Sequence, residues 1–281
     1  MAAELFAAAR CLVAEGPRWC AAEKTLYWVD ITAGRVLRKR DGTPPDACET
    51  FAPGLGKIGA FAFAAGGKLL LFTERCEIHE SAFGGGLALK WTLPGHVETR
   101  FNDVFDAGDG VFFCGVAPVR PDVRGELWRF DAKEGTFTCV EPATAGMPNG
   151  MGLSPDGRTF YFVVSDERRL YAYDFDPATR TVARKRVLCD DFEGEGVPDG
   201  MCVDPQDGSL YVAMWGGHRL EHRAPDGRRL ASVPFKAAKV TSAVADGESL
   251  YVTTANLPFD PEAFENEGAG CVFKLRRDRD V

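Results

Sequence analysis

Two stretches of this chain are versions of one phrase. Residues 146–170 read GMPNGMGLSPDGRTFYFVVSDERRL, and residues 196–220 read GVPDGMCVDPQDGSLYVAMWGGHRL. In each, a polar residue and a glycine, Asn149-Gly150 or Asp199-Gly200, stand 11 residues ahead of an apolar strand that begins at Phe160 or Leu210. A repeat with a period of roughly 20–50 residues constrains architecture more than local propensity does, because each unit buries its faces against its neighbours. Four more strands of the same aromatic and β-branched character begin at Leu26, Leu69, Val111 and Leu250, so successive starts lie 43, 42, 49, 50 and 40 residues apart. Most follow a turn signal: Ala65-Gly66-Gly67, Gly108-Asp109-Gly110, Pro155-Asp156-Gly157, Gln206-Asp207-Gly208 and Ala245-Asp246-Gly247. Asp-Gly between apolar runs marks a hairpin, since glycine takes the positive φ of the tight turn. A further strand follows each: GRVLRKR, CEIHE, GELWRF, RRLYAYDF, HRLEHRA and GCVFKL.

Six units of about four strands each predict an all-β chain, a six-bladed β-propeller. A sandwich or a pair of barrels is the rival all-β reading, but neither requires six similar units. No stretch of 12 residues keeps a 3.6-residue apolar period free of glycine and proline, so long helices are not expected. The propeller predicts one domain over residues 1–281, with ELFAAARCLV near the N-terminus supplying an outer strand to the last blade.

The first strand of each blade lines the central channel, and the position 11 residues before each second strand falls at its entrance. These positions hold Glu15, Ile58, Arg100, Asn149, Asp199 and Lys239, with Asn102 sharing the level of Arg100. Glutamate, two asparagines and an aspartate offer oxygen ligands only, a set that suits a hard divalent cation at the channel mouth, calcium most of all. Magnesium, manganese and zinc are the other candidates. Glycine after Glu15, Asn149 and Asp199 is read as room for a ligand close to the backbone. Taken singly, each Asn-Gly or Asp-Gly is an ordinary turn; their shared register is what sets them apart.

Composition narrows the partners. A net charge of −8 argues against nucleic acid and anionic membranes. No run of 18 apolar residues is present. The first residues lack a basic segment and carry Glu4 inside their apolar stretch, so they make a poor signal peptide. The nine cysteines are odd in number and include no C-x-x-C pair, which reads as small hydrophobes in a reducing cytoplasm. The protein is expected as a cytoplasmic monomer or weak homo-oligomer. No serine lies in a G-x-S-x-G elbow and no histidine pair has H-E-x-x-H spacing. His218 and His222 are read as exposed residues on one side of one strand, Trp215 as a residue that could line the mouth, and the other tryptophans as packing.

The segments EGPRWCAAEKTLYWVDITAGRV, RFNDVFDAGDGVFFCG, RGELWRFD, PNGMGLSPDGRTFYFVVS, PDGMCVDPQDGSLYVAMWGGHRL, VTSAVADGESLYVTTA and DPEAFENEGAGCVFKL span nearly the whole chain. In this order they resemble the senescence marker protein, regucalcin and gluconolactonase family. The resemblance implies a six-bladed propeller with one divalent metal at the channel mouth. It implies Glu15, Asn149 and Asp199 as metal ligands, Asp199 also as catalytic base, and Arg100 and Asn102 as substrate-binding residues. One region departs from the family pattern: after FFCG the chain runs Gly115-Val-Ala-Pro-Val-Arg120-Pro, without the expected threonine, methionine or acid. Arg120 is therefore a candidate contact for an acidic group on the substrate.

The expected function is metal-dependent opening of a sugar lactone. The metal would polarise the carbonyl, and Asp199 would take a proton from the attacking water. Two alternatives stand beside it: hydrolysis of a phosphotriester or fluorophosphate at the same metal site, and a propeller that binds without turnover.

Overall fold

The computed structural model describes residues 3–118, 124–144, 146–257 and 268–277. They form six antiparallel sheets of four strands each. The inner strands are Ala14–Cys20, Ile58–Ala64, Thr99–Asp106, Pro148–Leu153, Val197–Val203 and Lys239–Asp246, heading blades 1 to 6. Each packs against the inner strands on either side, and that of blade 6 packs against that of blade 1, which closes the ring. The sixth sheet is completed from the far end of the chain: Ala3–Ala7 pairs with Val272–Arg276. The expected six-bladed propeller is the observed fold.

The apolar runs that revealed the repeat are continuous rather than alternating because each blade is covered on both faces. In Thr25–Asp30, Leu26 and Trp28 pack toward blade 6, with Phe6, Tyr251 and Val272, whereas Tyr27 and Val29 pack toward blade 2, with Ile58, Phe61 and Leu71. The same division recurs, so that among the described residues the core is six clusters, one at each junction between blades. Ile58, the apolar member of the channel-mouth series, is fully buried in one of them.

Every inner strand carries a register shift at its entrance: after Glu15, Ile58, Phe101, Pro148, Pro198 and Val240. Such bulges re-aim side chains at the rim of a sheet, and here they fall at or beside the mouth positions. They also explain the glycines. A Cβ on Gly150 would stand 2.5 Å from Met201 N, and one on Gly200 would stand 2.7 Å from Thr241 O. The room is therefore for the next blade's backbone, not for a ligand as the sequence suggested. Gly16 differs: its surroundings are open, and its φ of +53° is what favours glycine.

The histidine pair is also corrected. His218 lies before the strand Arg219–Arg223, in a turn with φ of 53°, and only His222 is in the strand. His222 is buried, stacked on Tyr211 with ring centroids 4.6 Å apart. All nine cysteines are free. No helix among the described residues is long and apolar enough to cross a membrane. Arg120 and residues 259–267 lie outside the described residues.

Candidate active site

The entrances of the inner strands open into a cavity of about 350 Å³. Its floor brings together Glu15, Arg100, Asn102, Asn149 and Asp199 from blades 1, 3, 4 and 5. Its wall adds Val13, Ile31, Met147, Val197 and Trp215, with Lys57, Ser165 and Asp166 between them. Five of the expected site residues thus share one cavity. Lys239, the sixth member of the mouth series, reaches over the outer wall, its Nζ 5.6 Å from the centroid of Trp215.

Hydrogen bonds cross this floor from blade to blade. Arg100 Nη1 donates to Asn102 Oδ1 at 2.6 Å. Asn102 Nδ2 donates to Asn149 Oδ1 at 2.7 Å and to Pro148 O at 2.8 Å. Asn149 Nδ2 donates to Ser165 Oγ at 2.7 Å, and Ser165 Oγ donates to Pro198 O at 2.6 Å. The chain has a donor-only guanidinium at one end and an acceptor-only carbonyl at the other. Its polarity is therefore fixed, and with it the orientation of both amides. Asn149 Oδ1 keeps a lone pair beyond the one that accepts from Asn102.

The carboxylates are differently placed. Glu15 and Asp199 are buried, and among the described residues neither makes an ion pair. Burial pushes both well above the ordinary carboxylate range; the charge of Asp199 raises Glu15 further, and that of Asp103 raises both. Asp103, one residue past Asn102 and beneath the floor, is itself pushed up to about 6 by burial, against the pull of the Arg18 guanidinium. Arg18 is tied to backbone, donating to Phe61 O at 2.8 Å and Val104 O at 2.6 Å. Burial pushes Arg100 down, and the carboxylates of Glu15 and Asp199 push it back.

Two buried carboxylates that repel each other, beside an amide oxygen with a free lone pair, form a donor set short of positive charge. A hard divalent cation fits that set in ligand type. No group of three His, Cys, Asp or Glu with metal-binding geometry occurs among the described residues; beside the two carboxylates, the Asn149 amide is the side-chain oxygen at hand. Sequence reasoning missed Ser165, Asp103 and Lys57. Asp103 stands inside the RFND motif and could have been read from it; a lone serine after a strand and a lysine one residue ahead of Ile58 carry no comparable signal.

A six-bladed propeller whose mouth gathers a glutamate, an asparagine and an aspartate from three blades marks out a class. The chain belongs to the SMP-30/Gluconolactonase/LRE-like family, which it matches over residues 13–256. It is 35% identical to the pentonolactonase XacC of Haloferax volcanii over 273 residues, covering 94% of this chain and 91% of that one. It is 32% identical to the L-arabinolactonase of Azospirillum brasilense over 282 residues, 96% and 90% of the respective chains. Its fold matches that of a calcium-binding protein, regucalcin, from Agrobacterium tumefaciens with a TM-score of 0.88 at 23% identity, over 98% and 93% of the two chains.

Proposed function

We propose that this protein is a divalent-metal-dependent lactonase that opens a sugar lactone, with Glu15, Asn149 and Asp199 as the residues that would hold the cation. The observation that carries the reading is the pair of buried, mutually repelling carboxylates at the mouth, beside an oriented amide oxygen. When bound, a cation supplies Lewis acidity toward the lactone carbonyl. The chain's own residues do the rest. Asp199 accepts the proton of the attacking water. Arg100 and Asn102, which line the same cavity, hold ring hydroxyls. Trp215 offers an apolar face to the ring, and the cavity walls limit the water that reaches it. Two relatives named for five-carbon lactones, at 35% and 32% identity, support a pentonolactone as substrate. The same reading puts the protein in the reducing cytoplasm, which its nine unpaired cysteines support. Arg120 is kept as a proposed contact for an acidic substituent.

The test is hydrolysis of a panel of five- and six-carbon aldonolactones after chelation and after return of calcium, magnesium, manganese or zinc. Activity is expected to vanish with chelator and to return with at least one cation. Asp199→Asn is expected to lower kcat by about 10²–10⁴-fold, the usual contribution of a general base. Full activity in chelator, or cleavage of a phosphotriester with no lactone turned over, would overturn the reading.

A further inference from the structure

The three proposed ligands share a feature one residue upstream. The carbonyl of the residue immediately before each one accepts a hydrogen bond from a buried side chain of the preceding blade. Thr241 Oγ1 of blade 6 donates to Ala14 O, before Glu15, at 2.5 Å. Asn102 Nδ2 of blade 3 donates to Pro148 O, before Asn149, at 2.8 Å. Ser165 Oγ of blade 4 donates to Pro198 O, before Asp199, at 2.6 Å. All three donors are buried, Thr241 completely.

From this threefold recurrence we infer that Ser165 and Thr241, together with Asn102, are positioning residues that fix the separation of the three oxygen donors across the blade junctions. The physical reason lies in the bulges. Each proposed ligand stands beside a register shift, after Glu15, Pro148 and Pro198, where the strand's own ladder is interrupted. Asn149 and Asp199 lie in the interruption itself, whereas Glu15 is still paired with Val29 and the ladder is lost just after it. A hydroxyl or amide from the neighbouring blade supplies a further constraint and couples the ligand to that blade. Ser165 acts on two ligands at once. It accepts from Asn149 Nδ2 while donating to the peptide before Asp199, so one oxygen sets the two relative to each other. Neither Ser165 nor Thr241 is proposed to touch the cation or the substrate.

The inference rests on the metal reading above, and its test separates the two. Calcium affinity is measured by titration calorimetry on the chelator-stripped full-length protein, alongside its melting temperature. Ser165→Ala and Thr241→Val are expected to weaken calcium binding about 10–100-fold, the usual cost of losing a group that orients a metal ligand. The hydroxyl-retaining Ser165→Thr and Thr241→Ser are expected to restore most of it. Ser81 is the control: it is equally buried and donates to Ala82 O at 2.7 Å in the third strand of blade 2, away from the cavity. Ser81→Ala is expected to lower the melting temperature and leave calcium affinity unchanged. If Ser165→Ala does not fold, Ser165→Cys keeps the volume with a weaker donor and is expected to lose affinity in the same direction. Wild-type affinity in the Ser165 and Thr241 variants, or equal loss in Ser81→Ala, would sink the positioning role alone. A wild-type protein that takes up no divalent cation would sink the metal reading and the positioning role with it.

Discussion

At the scale of single residues, the mouth of the channel is held in an unfavourable charge state by the fold around it. Glu15 and Asp199 have folded-state pKa values raised above their unfolded ones, so the folded chain holds protons that the unfolded chain has released. Their contribution to stability therefore falls as pH rises from the ordinary carboxylate range through the folded values. Glu15→Gln puts a neutral amide where folding must otherwise either protonate a carboxyl or bury it charged. In the chelated protein at pH 7 it is expected to raise stability by roughly 0.5–2 kcal/mol, as substitutions at strained functional sites do. It is also expected to abolish the thermal stabilisation that added calcium gives the wild type; calorimetry with and without calcium reads both effects. His222 has the opposite sign. Burial against Tyr211 pushes its imidazole down, and its Nε2 finds no hydrogen-bond partner among the described residues. Protonation of the unfolded chain then costs stability as pH falls below the usual histidine value of about 6.5. His222→Phe keeps the stack, so its melting temperature relative to wild type is expected to climb between pH 7 and pH 5. The polar residues of the mouth were legible because they recur at the position 11 residues before a strand, Ile58 being the apolar exception. Ser165 and Thr241 were not, because a buried hydroxyl becomes meaningful only once a carbonyl from another blade is known to face it.

At the scale of elements, the strands were readable because both their faces are apolar and their hairpins carry Asp-Gly. The bulges were not readable, since nothing in PDGM or PNGM says that two residues will oppose one. Without them the glycines read as ligand access, whereas they serve inter-blade contact. A methyl group on Gly150 meets backbone of the next inner strand, Met201 N at 2.5 Å and Asp199 O at 2.8 Å, and neither can move without shifting the candidate site. Gly150→Ala is expected to destabilise by about 1–3 kcal/mol through overpacking. Its melting temperature should fall by several degrees, and its lactone kcat should fall with it. Unchanged melting would show that the junction between blades 4 and 5 is looser than the structure gives.

At the scale of the whole molecule, the sixth sheet is one strand short until Ala3–Ala7 lies against Val272–Arg276. The outer strand near the N-terminus was legible, because a propeller with an odd strand at one end needs one from the other. Deleting residues 1–8 leaves Val272–Arg276 as an exposed edge with unpaired backbone groups. It also removes Phe6 from its edge-on contact with Tyr251, centroids 4.9 Å apart. The expected outcome is a lower melting temperature and concentration-dependent aggregation on heating, read by calorimetry and light scattering.

The pairing of Ala3 with Leu275 has a consequence for how the protein is made. Ala3–Ala7 is synthesised long before Val272–Arg276, so its pairing waits until the strands between them have been made. The junction of blades 1 and 6 and the stack of Trp19 on Tyr251, centroids 5.0 Å apart, can form once Ser249–Ala255 is made, but the outer edge of blade 6 stays open until Val272–Arg276 follows. Bringing such distant ends together costs roughly 5 kcal/mol in chain entropy for a loop of this length, less as the intervening blades form and hold the ends near. A chain cut short between Ala255 and Val272 thus keeps an open sheet edge on blade 6, and one cut short before Tyr251 also leaves Trp19 without its stacking partner, the kinds of surface chaperones retain and proteases clear. The pairing works as a check on the strands between: only a chain translated through Val272–Arg276 can cover the open edge of blade 6.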